Sequence, residues 1–393
     1  MFTSLSRPGA RLFALLALLF VASCGPVNVG NIVPGSQTGQ RIDPDAPVPV
    51  ALLVPGGSSI AGDELIARDL ENAARLAMSD LRGAQIDLRV YDTGATPAGA
   101  ANAAGTAVAE GAKVILGPLR ADAAVAASTA VADVNVLAFT NTSAVAGGNL
   151  FILGPTFDNI ANRLVSFGSG QGLNRYLVVY GDDAQGVAGR DAVSRAVQRS
   201  GGVLLGMESY PLTSQQAVTE AAPRIAAAAR STGAQGVFLT GGVNADLPII
   251  ATALPEAGLS PVETRFFGLT RWDAASQALA LPGLQGGYFA RPDTAAITSF
   301  EARYQAAYGD EPHPLAGLAY DGIAAIGALV AQGDTDALTS RSLTQPSGFT
   351  GTSGIFRLLP SGLNERALSV ATIRNNQVVI VDPAPTSFAA AGL

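Results

Sequence analysis

From Val48 onward, short unbroken apolar runs alternate with longer segments whose apolar residues recur every three to four positions, and few folds accommodate that alternation. An apolar run of four to seven residues between turn signals is a strand buried on both faces, and such a strand needs helices over it. Val48–Val54 is one, ending at Pro55-Gly56-Gly57-Ser58-Ser59. A helix is expected over 63–82, where Ile66, Leu70, Ala73 and Ala77 share a face and Gly83 supplies the stop. Ile86, Leu88 and Val90 then alternate with Asp87 and Arg89 as a half-buried strand. The unit repeats as a helix over 97–110, a strand over 113–116, a turn at Gly117-Pro118, a helix over 121–132 and a strand over 134–139. A second series has strands over 175–180, 203–210, 236–239 and 265–267, with helices over 187–199, 215–230 and 245–257. A strand over 287–290, helices over 296–308 and 315–331, and β segments over 355–358, 368–373 and 378–381 follow, with Asn375-Asn376 turning the last pair. The expected class is α/β: two lobes, each a mainly parallel sheet flanked by helices with right-handed crossovers.

The start of the chain reads differently. Arg7 and Arg11 precede the apolar stretch Leu12–Phe20, which is too short to cross a bilayer, and Val21-Ala22-Ser23-Cys24 is similar to the lipobox of bacterial lipoproteins. Residues 1–23 are therefore expected to be removed, leaving Cys24 as an acylated, membrane-anchoring N-terminus. Residues 24–46, rich in Gly, Pro, Asn, Ser and Gln, are expected to form a flexible tether with an end-to-end distance of about 25 Å. Gly25 follows the cysteine, which by the usual Gram-negative sorting pattern implies the periplasmic face of the outer membrane. Cys24 is the only cysteine, so no disulfide forms within one chain. The net charge of −7 argues against nucleic acid as a partner.

Catalysis finds little support. His313, the only histidine, lies in the proline-rigid turn Glu311-Pro312-His313-Pro314, no Cys or His spacing suits zinc, and Asp182-Asp183 after a strand reads as a helix cap. The Gly57 loop lacks a P-loop lysine and there is no dinucleotide fingerprint. No catalytic residue, metal or cofactor is assigned.

Val50-Ala51-Leu52-Leu53-Val54-Pro55, Gly111 to Leu119, Leu177 to Gly186, Gly233 to Leu239 and Ala319-Tyr320-Asp321-Gly322, in this order and spacing, resemble the type I periplasmic binding protein family. The resemblance implies three crossings between lobes, near 153–155, 291–293 and 348–350. Lobe one then comprises 47–152 with 293–348, lobe two 153–292 with 349–382, and 383–393 is a tail. It also implies a ligand cleft between the lobes, where strand C-terminal ends converge. The candidate cleft contacts are Ser58, Ser59, Arg120, Thr140, Thr142, Asp182, Gln185, Asn244, Trp272 and Tyr320. Hydroxyls and free amides at helix N-termini suit a carboxylate, and Trp272 suits stacking. The same residues also serve as caps and turns, and Arg120 as a partner of Asp122 or another acid.

Two functions fit the resemblance. The leading one is a lipoprotein that binds and activates a penicillin-binding protein, a peptidoglycan synthase. It is favoured by Gly25, by the Arg366-Ala367-Leu368 and Asp382-Pro383-Ala384-Pro385 segments, which are similar to the ends of such activators, and by departures from the amino-acid receptor pattern. Arg120 stands where hydroxyl residues are usual, and the lobe-two loop 268–272 has no carboxylate before Asp273. The other is the solute-binding lipoprotein of an ABC importer for amino acids or a similar small polar metabolite, whose partner is a permease.

Overall fold

The side chains of β1 (Val48–Val54) alternate between two covered faces of the first sheet, as a strand buried on both sides must. In the computed structural model, which describes residues 37–388, β1 is followed by α1 (Asp63–Asp80), β2 (Ile86–Asp92), α2 (Pro97–Ala109), β3 (Val114–Leu116), α3 (Ala121–Ala130), β4 (Asn135–Ala138) and β5 (Leu150–Ile152). The five strands are all parallel in the order β2-β1-β3-β4-β5, with Val48 paired to Ile86 and Val50 to Val114. Val50, Leu52 and Val54 pack against Leu70 and Ala74 of α1, while Ala51 and Leu53 pack against the alanine faces of α2 and α3. Alanine there lets the helices lie close to the sheet.

The second lobe repeats the plan through α4 (Phe157–Gly170), β6 (Arg175–Gly181), α5 (Ala184–Arg199), β7 (Val203–Tyr210), α6 (Gln215–Thr232), β8 (Gly236–Leu239), α7 (Leu247–Glu256), β9 (Arg265–Gly268) and β10 (Tyr288–Arg291). Leu177 and Val179 of β6 face α6 and α7, and Tyr176 and Val178 face α4 and α5. The chain then returns to lobe one as α8 (Thr294–Tyr308) and α9 (Gly317–Val330), which pack on α1, and as α10 (Ser340–Leu343). A small antiparallel sheet of β11 (Phe349–Gly351), β12 (Gly354–Leu358) and β13 (Asn364–Arg366) leads to β14 (Ser369–Arg374) and β15 (Gln377–Asp382). The last two extend the lobe-two sheet, β14 antiparallel to β10 and β15 antiparallel to β14, in the order β15-β14-β10-β9-β8-β6-β7. Phe349, Phe356 and Leu358 belong to the lobe-one core.

Several features depart from the sequence reading. β5 and α4 were not foreseen, although α4 opens with a reciprocal cap. The Thr156 hydroxyl accepts from Asn159 N–H at 3.3 Å, and the Asn159 side chain accepts from Thr156 N–H at 2.9 Å. Residues 38–46, assigned to the tether by composition, are docked on lobe one where they are described: Gly39 N–H donates to Asp133 O at 3.2 Å and Ile42 is buried at 6% exposure. Cys24, the signal segment and most of the tether lie outside the described residues, as does the end of the tail.

Candidate functional site

In both sheets the first strand lies between the second and third, so the crossovers leaving β1 and β3, and those leaving β6 and β8, go to opposite faces. Loops diverge there and open a crevice at the carboxyl edge. In lobe one the edge carries the loop after β1 and the turn at Gly117. A side chain at Gly117 is excluded twice over, by φ of +86° and because a Cβ would lie 2.3 Å from Leu53 O.

Lobe one pairs most of the polar groups at this edge within itself, and the Nη1 of Arg120 is buried without a partner. Arg120 Nη2 donates to both oxygens of Asp63, at 2.8 and 3.0 Å, so its partner is Asp63 rather than Asp122. Burial alone raises the Asp63 carboxyl, but hydrogen bonds from Arg120 and Ser58 outweigh it and hold the group below its ordinary value. Gly57 N–H donates to Glu64 Oε1 at 2.7 Å, and Ser58 Oγ accepts from Ile60 N–H at 3.0 Å. Thr140, 5% exposed, accepts from Thr142 N–H at 3.2 Å in a local turn, while Ser59 and Thr142 are exposed.

Lobe two holds a cavity of about 340 Å³ at the ends of β6, β7 and β8, lined by Asp183, Gln185, Ser214, Thr240, Asp246 and Ile249 among others. That volume suits a small ligand. Asp183 caps α5 by accepting from Gly186 N–H at 2.7 Å, and Ser214 caps α6 by accepting from Ala217 N–H at 3.1 Å. Asp246 accepts from Gly242 N–H at 2.8 Å and from the Tyr210 hydroxyl at 2.5 Å. Burial, reinforced by Asp246, raises the Tyr210 phenol, which stays protonated and donates. Asp182 accepts from Leu212 N–H at 3.1 Å beside the cavity, and Asn244 is exposed on the loop after β8.

Two expected contacts lie elsewhere. Trp272 is fully buried in the lobe-two core, with its ring centroid 5.5 Å from that of Phe289. Gly268 and Gly287 make room for it, since a Cβ on either would come within 3 Å of the indole, so it has no face to offer a ligand. Tyr320 donates to Asp80 Oδ2 at 2.7 Å, at the far end of α1 from Asp63 and about 25 Å along the helix axis. Asp273, the first carboxylate of its loop, is held between Arg271 at 3.0 Å and Arg291 at 3.3 Å. Sequence reasoning missed Thr240 and Asp246, which lie on either side of its candidate Asn244.

The remaining candidates gather at the carboxyl edges of two sheets: Ser58, Ser59, Arg120, Thr140 and Thr142 on one, and Asp182, Gln185 and Asn244 on the other. Among the described residues no group of three or more His, Cys, Asp or Glu is arranged to hold a metal ion. No helix there is long and apolar enough to cross a membrane. A two-lobed α/β fold with a cavity at a sheet switch point defines a binding protein of the periplasmic type. The family described as "Periplasmic binding protein" matches residues 47–377, and the chain belongs to it. Its members are generally non-catalytic and extracytoplasmic.

Solved structures agree on the fold. A Rhodospirillum rubrum protein described as belonging to a branched-chain amino acid ABC transporter matches with a TM-score of 0.69 and 16% identity, over 86% of this chain and 100% of that one. A Burkholderia xenovorans periplasmic ligand-binding protein of a branched-chain amino acid ABC transporter matches with a TM-score of 0.60 and 18% identity, over 86% and 96%. An ABC transporter substrate-binding protein of Desulfitobacterium hafniense gives 0.60 and 17%, over 86% and 100%. No curated protein matches by sequence.

Proposed function

We propose that this chain is the solute-binding lipoprotein of an ABC importer, anchored through Cys24, which closes its lobes over a small polar ligand and presents it to a permease. The observation that carries this is the lobe-two cavity at the switch point between β6 and β8, facing the carboxyl-edge position where doubly wound sheets bind ligands. The family match and the named importer receptors support this reading better than the synthase activator that sequence alone put first. A panel of amino acids, amines, short peptides and muropeptides, screened by thermal shift and confirmed by calorimetry, tests it. A ligand present well above its Kd raises the melting temperature.

One observation still favours the activator. Asp63 and Asp273 are paired to arginines within the chain, which leaves neither carboxylate open to the ammonium of a standard amino acid. Pull-down of detergent-solubilised protein separates the readings, because an importer receptor recovers a permease and an activator recovers a peptidoglycan synthase.

A further inference from the structure

The lobe-two cavity carries two carboxylates and no base. Asp183 and Asp246 line it, and none of its lining residues is lysine or arginine. The arginines of the flanking helices are engaged elsewhere: Arg190 with Asp191, Arg195 and Arg199 with Asp158, Arg224 with Glu208, and Arg230 with Ala257 O. Acidic residues alone do not make a site, but Thr240 adds an independent sign. It lines the same cavity at 2% exposure, its methyl is turned toward Gly189, and its buried hydroxyl oxygen has no hydrogen-bond partner. A buried polar atom without a partner calls for an explanation, and a bound ligand supplies one.

The first lobe spends most of its polar groups on itself. Two of the groups there that suit a ligand carboxylate already serve the chain's own acids: Gly57 N–H donates to Glu64 and Arg120 Nη2 to Asp63, while Arg120 Nη1 is buried without a partner. A ligand carboxylate in the lobe-two cavity would meet Asp183 and Asp246. An ammonium would meet acceptors, and a cation pairs there instead of lying unpaired.

We propose that the cleft selects a small organic cation carrying no carboxylate, a primary amine or diamine, whose ammonium sits between Asp183 and Asp246 and within reach of Thr240. This rests on the solute-binding reading and narrows it to a ligand class. The net charge of −7 adds a field that draws cations in.

The test is calorimetry on the purified full chain in detergent with three probes: 1,4-diaminobutane, 4-aminobutanoate and L-leucine. The diamine should bind at least about tenfold more tightly than the other two. Asp183→Asn, which keeps an N-cap acceptor for α5, should weaken it by about tenfold or more with an unchanged melting temperature. Asp246→Asn provides a second reading of the same subsite. Leucine or 4-aminobutanoate binding as tightly as the diamine overturns the cation class and leaves the solute-binding reading intact. Diamine binding untouched by both variants overturns the assigned subsite. No binding by these probes or by a wider panel of neutral solutes overturns the inference and the solute-binding reading together.

Discussion

Asp321 of α9 and Arg366 of β13, 45 residues apart in sequence, form an ion pair at 2.9 Å with side chains 1% and 5% exposed. Arg366 also donates to Leu153 O in the first crossing, at 3.2 Å from Nε and 2.5 Å from Nη2, and Asp321 accepts from Thr352 N–H at 2.7 Å. One pair thus joins two interlobe connections to a lobe-one helix. Removing either partner strands a buried charge, so Asp321→Asn or Arg366→Met should lower the unfolding free energy by about 3–5 kcal/mol. The double variant Asp321→Asn, Arg366→Met should lose much less than the sum of the singles in chemical denaturation. Strict additivity would show that the two residues do not act as a pair.

Acid should destabilise the fold through a few carboxylates. Asp158 is raised by burial, yet hydrogen bonds from Arg195 and Ser143 hold it below its ordinary value of 3.8, and Asp63 is lowered in the same way by Arg120 and Ser58. A carboxylate whose folded pKa is depressed contributes stability above its unfolded pKa, and that contribution is lost as pH falls through the folded one. Stability in urea should therefore hold near neutrality and fall below pH values near 3.8. Asp158→Asn should flatten the acid limb, and an acid limb parallel to that of the parent would exclude Asp158 as a contributor.

Trp272 is the sole tryptophan, so intrinsic fluorescence reports one site. Native emission should be blue-shifted, poorly quenched by acrylamide and unchanged in quenching when a ligand binds. Trp272→Ala should cost about 3–5 kcal/mol of stability by opening a cavity beside Phe289. Strong quenching on ligand addition would return the indole to the cleft.

Mass spectrometry of the N-terminal peptide should find Cys24 acylated and residues 1–23 absent. A free amine at Cys24, or cleavage elsewhere, would remove the anchor from the proposed function. Membrane fractionation adds a further constraint, because docking on a permease requires the inner membrane whereas Gly25 favours the outer one.

Lobe architecture was legible because it follows from periodicity. The apolar runs at 50–54, 114–116, 176–179 and 237–239 are buried on both faces, and no arrangement but a helix-covered parallel sheet satisfies them. α4 was missed because Gly168 and Gly170 and the polar Asn159, Asn162 and Ser166 dilute its apolar stripe, although Thr156 and Asn159 mark its start. The carboxyl-edge loops were legible for the same reason as the strands, since a strand's end names its loop.

Which side chains fill those loops, and with what partners, was not written in any local pattern. Trp272 sits next to cleft loops in sequence, but glycines at 268 and 287 draw it into the core. Arg120 finds Asp63 across 57 residues, and Arg366 finds Asp321 across 45. Sequence by itself determined the class of fold, the sites of its loops and the family, because hydrophobic burial acts on local periodicity. Only the tertiary structure decided which charges are neutralised within the chain and which, like Asp183 and Asp246, line a cavity that no lysine or arginine lines, because ion pairing depends on distances that folding alone sets.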